Sequence, residues 1–173
     1  SVFGFTGSIG TQALSVIEKY PSKFELDVLV CNKNVSLAIE LIKKHNPKNV
    51  FVTDSKARSE IMASCCSEIN FFDSMNAVRE YLSVNKSDIY LSAISSFDCI
   101  DLTIDAAKSG KKLLLANKES LVVFGKQIMQ ECKQAQTLSA GFLADLLWPQ
   151  YLLPQALRLF PVLQLRPQRY FRV

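Results

Sequence analysis

Val2-Phe3-Gly4-Phe5-Thr6-Gly7-Ser8-Ile9-Gly10-Thr11 opens the chain: two apolar residues, then three glycines spaced three apart, then a segment of helical spacing from Gln12 to Tyr20 that Pro21 ends. A clipped strand, a glycine turn and a helix in that order are the first half of a βαβ unit. Glycines there permit a tight turn and let backbone N–H groups approach a phosphate at the positive end of the helix dipole. The spacing is GxxGxxG rather than GxGxxG. The hydroxyls of Thr6 and Ser8 and the βαβ context, more than the glycines alone, favour a dinucleotide-binding turn over a plain strand-to-helix connection.

The same alternation continues outward from this turn. Leu26–Cys31 reads as a second strand, Asn34-Val35 opens a helix to His45, and Val50–Val52 is a third strand followed by a helix through Arg58 to Ser64. Ile69–Phe72, a helix from Met75 to Leu82 and the strand Ile89–Ile94 come next. A helix from Cys99 to Lys108 stops at Gly110, then Lys112–Ala116 is a strand and Glu119–Lys133 a helix. Strands alternating with helices of ~10 residues predict an α/β fold with a doubly wound, mainly parallel sheet. His45, in Lys43-Lys44-His45-Asn46-Pro47, is expected to be a cation at a helix C-terminus rather than a metal ligand.

Two further stretches bear on chemistry. About 20 residues past the glycines, a site for a nucleotide with a free ribose 2′-hydroxyl places Asp or Glu. Here the second strand ends Val30-Cys31-Asn32-Lys33-Asn34, with one lysine and no acid. A cation with amide donors suits a 2′-phosphate better than a diol, which reads as NADP(H); the alternative is a solvated loop lysine. Leu115-Ala116-Asn117-Lys118-Glu119-Ser120-Leu121-Val122 follows a strand and opens a helix, at the carboxyl edge where open parallel sheets bind ligands. Asn117 can cap that helix, Lys118 can project over the crevice and Glu119 suits the first turn, although each could be capping alone.

With 173 residues, 49% hydrophobic and 21% charged, the chain suits one globular domain and excludes general disorder. No apolar run reaches the ~18 residues of a membrane span. The net charge of +4 falls unevenly: residues 1–136 hold 14 Lys, 2 Arg and 15 acids, and residues 137–173 hold 4 Arg and one acid, Asp145. A body at +1 has no basic footprint for nucleic acid. Cys31, Cys65, Cys66, Cys99 and Cys132 show no CxxC spacing, which points to a reducing, cytoplasmic-type compartment.

Thr6–Thr11, Asn32–Val35 and Leu114–Val122, in that order and spacing, resemble the 1-deoxy-D-xylulose 5-phosphate reductoisomerase family, NADPH-dependent enzymes of non-mevalonate isoprenoid synthesis. The likeness runs from Val2 to Gln136. It implies a Rossmann-like domain in which Thr6, Gly7, Ser8 and Ile9 cradle the NADPH diphosphate and Asn32, Lys33 and Asn34 surround the ribose phosphate. It implies too that Asn117 and Glu119 meet the cofactor and that Lys118 reaches a phosphorylated sugar substrate. The reaction implied rearranges 1-deoxy-D-xylulose 5-phosphate and reduces the product to 2-C-methyl-D-erythritol 4-phosphate. It uses Mg²⁺ or Mn²⁺, in a homodimer, located in bacterial cytoplasm or a plastid-type organelle. Phe5 replaces a usual Ser, Asn32 a frequent Gly, and Ser95-Ser96-Phe97-Asp98 a glycine-rich turn.

After Gln136 the resemblance stops. Residues 137–173 contain ten Leu and four Pro but no Ile, Lys or Asn, whereas the preceding 136 hold eleven Ile. Thr137-Leu138-Ser139-Ala140-Gly141-Phe142 stands where the family has a strand carrying the metal-binding Asp and Glu, so metal ligands are expected to be absent. One codon assignment for those six residues, read one base later, gives Leu-Tyr-Pro-Leu-Asp. The chain is therefore expected to be a fragment: a nucleotide-binding domain over 1–136, then a tail over 137–173 of out-of-frame origin that ends the strand-helix alternation. Another nucleotide-dependent oxidoreductase on this fold, or a non-catalytic protein whose Leu- and Arg-rich tail meets a membrane or partner, are the competing readings.

Overall fold

The computed structural model describes residues 1–65, 68–85, 87–94 and 99–141 of the 173. Seven strands form one sheet: β1 (Val2–Phe3), β2 (Val28–Cys31), β3 (Asn49–Val52), β4 (Asn70–Phe71), β5 (Ile89–Ser92), β6 (Lys112–Leu115) and β7 (Leu138–Gly141). Among the described residues six α-helices connect them: α1 (Ser8–Lys19), α2 (Val35–His45), α3 (Ser55–Ser64), α4 (Met75–Val84), α5 (Ile100–Lys108) and α6 (Lys118–Ala135). The strand order is β4-β3-β2-β1-β5-β6-β7, and every neighbouring pair is parallel. This is the expected doubly wound, Rossmann-like α/β sheet, with the winding reversed between β1 and β5.

Alternation along the strands explains why both faces need cover. Val2, Leu29, Cys31, Val50 and Val52 point to one side and pack with Leu14 of α1, Leu41 and Ile42 of α2 and Ile61 of α3. Phe3, Val28, Val30, Phe51 and Tyr90 point to the other and pack with Val78 and Leu82 of α4, Leu102 of α5 and Ile128 of α6. Strands apolar on both faces must be sandwiched by helices, and each core helix supplies one apolar stripe for that purpose.

Several helix ends are set by local chemistry. Asn34, Asp54 and Ser74 accept hydrogen bonds from Leu37, Ala57 and Ala77 N–H groups, capping α2, α3 and α4. Gly110, at φ +74°, follows α5 as expected. His45 does lie in the last turn of α2, but burial pushes its imidazole below the ordinary range. At neutral pH the cations at that end are Lys43 and Lys44, the latter paired with Glu18 at 2.9 Å.

Two boundaries depart from expectation. α1 begins at Ser8, four residues before Gln12, because Gly10 lets the first turn press against the preceding loop. The alternation also passes Gln136. That residue takes the left-handed conformation at φ 55°, and the Thr137 hydroxyl then donates to the Ala107 carbonyl at 2.6 Å and accepts from the Gly110 N–H at 3.0 Å. This latch on the end of α5 turns the chain into β7, which pairs with β6 from Lys112↔Leu138 to Leu115↔Gly141. Backbone pairing of this kind demands little of the side chains. Residues 142–173, with Asp145 and the expectation of a poorly packed tail, lie outside the described residues.

At the opposite, amino edge of the sheet, Asp27 accepts from the Tyr81 hydroxyl at 2.8 Å and the Ser87 hydroxyl at 2.6 Å. The Ser87 N–H in turn donates to the Tyr90 hydroxyl, and burial pushes that phenol up to about 12. The folded state therefore favours neutral Tyr90. Its contribution is fully present below pH ~10, the ordinary tyrosine value, and is lost as pH climbs towards 12. Melting temperatures between pH 9 and 12 should fall, and Tyr90→Phe should flatten part of that slope; an unchanged slope in the variant would refute the assignment.

Candidate functional site

Because all strands are parallel, the loops after β1, β2, β3, β5 and β6 share one carboxyl edge. Gly4 follows β1 at φ +91°, and a Cβ on it would lie 2.5 Å from the Ala93 carbonyl oxygen just after β5. A Cβ on Gly10 would meet the Gly4 carbonyl oxygen and lie 2.5 Å from Phe5 Cα. These two glycines are packing requirements. Gly7 differs: it is exposed, and a Cβ there would come no closer than 3.4 Å to the Gly4 carbonyl oxygen, an ordinary contact. What its missing side chain preserves is open approach to the turn.

Gly7 is the N-cap of α1, and α1 receives no side-chain cap and carries no acid in its first turn. Gly7 N–H donates to Gly4 and its carbonyl accepts from Thr11 at 2.9 Å, so the helical ladder starts there. The N–H groups of Ser8, Ile9 and Gly10 precede any intrahelical acceptor, and the positive end of the dipole falls on them. α2, α3, α4 and α6 each satisfy one of the corresponding groups with an Asn, Asp or Ser side chain. Beside this turn, Thr6 is half-buried, Ser8 is exposed, and half-buried Ile9 packs on the core.

Asn117 closes the other side. Its side chain is 4% exposed, donates to the Ile94 carbonyl and to Ser120 Oγ, and accepts from the Ser120 N–H at 3.2 Å. It therefore caps α6 and ties the β6 loop to the end of β5. Lys118 and Glu119 are the first two residues of α6; their side chains, like Ser95–Asp98, lie outside the described residues.

Across β1, the β2 loop presents Asn32, Lys33 and Asn34, all exposed. Cys31, just before them, is buried, and burial pushes its thiol up to about 12, so it stays protonated and chemically quiet. Sequence reading overlooked the next loop. Thr53 Oγ1 donates to Asn32 Oδ1 at 2.8 Å, and Arg58 reaches back to the Val52 carbonyl at 3.4 Å. A Thr-Asp pair after a strand reads as a helix cap, and nothing local links Thr53 to a residue 21 positions earlier. The Gly7 turn, the Asn117 turn and the Asn32–Asn34 loop thus lie on one edge, straddling the reversal between β1 and β5. Such a reversal opens the crevice in which sheets of this kind bind ligands.

The family model for 1-deoxy-D-xylulose 5-phosphate reductoisomerase matches residues 1–125. The chain belongs to that family. The reductoisomerase of Clostridium botulinum is 36% identical over 138 residues, which cover 78% of this chain and 36% of that protein. The solved reductoisomerase of Zymomonas mobilis in complex with NADPH matches with a TM-score of 0.73 and 27% identity, over 80% of this chain and 36% of that one. A reductoisomerase solved in complex with magnesium matches at 0.69 and 26%, over 80% and 35%. The chain thus spans about a third of the length of these reductoisomerases. The match to the reductoisomerase model takes in the glycine turn, the Asn32–Asn34 loop and the strand-to-helix turn at Asn117, and stops within α6.

Proposed function

We propose that residues 1–136 form the NADPH-binding domain of a reductoisomerase and that residues 137–173 are an atypical tail. The observation that carries this is the uncapped start of α1, open at Gly7, on the same edge as the acid-free Asn32-Lys33-Asn34 loop. The residues present fit the nucleotide. The Ser8 and Ile9 N–H groups and the Thr6 and Ser8 hydroxyls offer donors to a diphosphate, and Gly7 leaves the approach to them open. Lys33 with Asn32 and Asn34 offers an ammonium and two amide NH₂ groups to a ribose 2′-phosphate. Asn117 fixes the α6 start, and with it the positions from which Glu119 would meet the cofactor and Lys118 the phosphorylated sugar.

When bound, NADPH supplies hydride. The family resemblance implies that in a whole reductoisomerase this hydride serves conversion of 1-deoxy-D-xylulose 5-phosphate to 2-C-methyl-D-erythritol 4-phosphate, with Mg²⁺ or Mn²⁺, in a homodimer. Among the described residues no three His, Cys, Asp or Glu side chains converge as a metal site, and no step through a metal is assigned to this chain. Among them, too, no helix is long and apolar enough to cross a membrane. A cytoplasmic location rests on the cysteine pattern of the sequence.

Calorimetry on the 173-residue chain should show NADPH binding and weaker NADH binding. Absence of binding by either would overturn the reading. With 1-deoxy-D-xylulose 5-phosphate and Mg²⁺ or Mn²⁺ added, no NADPH oxidation is expected; a clear rate would show that the tail supplies what the sequence there does not suggest.

A further inference from the structure

We infer that Thr53 is a positioning residue for nucleotide selectivity, acting by holding the Asn32 amide oxygen so that its NH₂ end is the one turned to a ligand. The role rests on the NADPH reading of this edge and extends it to a loop that the sequence motifs do not include.

Cys31↔Val52 is the last rung between β2 and β3, and the Thr53 N–H then donates to the Cys31 carbonyl at 3.0 Å. That bond holds Thr53 alongside Asn32, where its hydroxyl occupies Asn32 Oδ1 at 2.8 Å. An asparagine offers one acceptor end and one donor end. A phosphate oxygen accepts, so an amide oxygen facing it repels while the NH₂ end attracts. With Oδ1 claimed by Thr53, the end left for a ligand is Nδ2. Asn34 is treated alike: its Oδ1 accepts from the Leu37 N–H at the start of α2. Both side-chain amide oxygens of the loop are thus bound to protein donors, and the two NH₂ groups and the Lys33 ammonium are its side-chain donors toward a ligand. A solvated Asn32 without this tether would spend rotamer entropy to reach the same orientation. Arg58, bonded to the Val52 carbonyl, braces the strand end from which Thr53 projects.

The test is calorimetric titration of NADPH and NADH into the 173-residue chain and its Thr53→Val, Thr53→Ser, Asn32→Gly and doubly substituted Asn32→Gly/Thr53→Val forms. Valine keeps the shape and removes the hydroxyl. Thr53→Val should weaken NADPH by about threefold to tenfold, the range for one hydrogen bond to a charged group held less well. NADH should move less than about twofold, which also serves as the control for folding. Serine should restore most of the loss, and in the Asn32→Gly background valine should add nothing. Equal losses for both nucleotides, no loss, or additive losses in the double variant would overturn the role of Thr53 while leaving NADPH binding standing. A parent chain that binds neither nucleotide would reject the NADPH reading itself.

Discussion

Gly10→Ala will destabilise the domain by about 3 kcal/mol or more, although alanine normally gains ~1 kcal/mol over glycine inside a helix. The sign reverses because the new methyl would run into the Gly4 carbonyl and stand 2.5 Å from Phe5 Cα and 2.8 Å from the Phe5 carbonyl carbon. These are backbone atoms, with no flexible side chain to swing aside. At a few degrees per kcal/mol, thermal melting should shift down by about 10 °C. Gly7→Ala, with its nearest contact at 3.4 Å, should stay within ~0.5 kcal/mol of the parent yet lose NADPH affinity. Comparable losses of stability in both variants would show that the three glycines share one structural job and that Gly7 is not the ligand-facing one.

Lys33→Glu is expected to cost about tenfold to a hundredfold in NADPH affinity and little or nothing in NADH affinity, measured side by side by calorimetry. It exchanges an attraction for a repulsion at the 2′-phosphate, and charge-assisted bonds are the strong ones. Lys33 is exposed in a turn, so the melting temperature should hold. A variant that loses both nucleotides equally would move Lys33 from selectivity to general charge attraction, and raising the salt concentration would then mimic the substitution.

The alternating strands and helices were legible because each is decided by neighbours in sequence: apolar runs, caps at Asn34, Asp54 and Ser74, Gly110 after α5. So were the glycine turn and the Asn32–Asn34 loop, whose meaning depends on which residue types follow a strand. Features set by distant partners were not. β7 depends on a Thr137 hydroxyl finding Ala107 and Gly110, 30 and 27 residues away. The lowered titration of His45 comes first from burial, which its lysine-rich surroundings conceal. Nor does the GxxGxxG spacing tell which glycines are packed against backbone and which is left open. That distinction appears only when Ala93 and Phe5 are placed against them.

β1 has only two residues, yet it is the one strand that joins the two halves of the sheet. Val2 lies beside Leu29 on one flank and Leu91 on the other. Each half assembles from short loops, whereas the seam requires residue 2 to meet residue 91, and closing so long a loop comes at a higher entropic cost. The seam is therefore expected to form late in folding, after β2–β3–β4 and β5–β6 have local structure of their own. The crevice exists only where these halves abut. On the proposed NADPH reading, a chain whose halves have not yet met should lack a complete site, so recovery of NADPH binding during refolding should not precede closure of the β1–β5 seam.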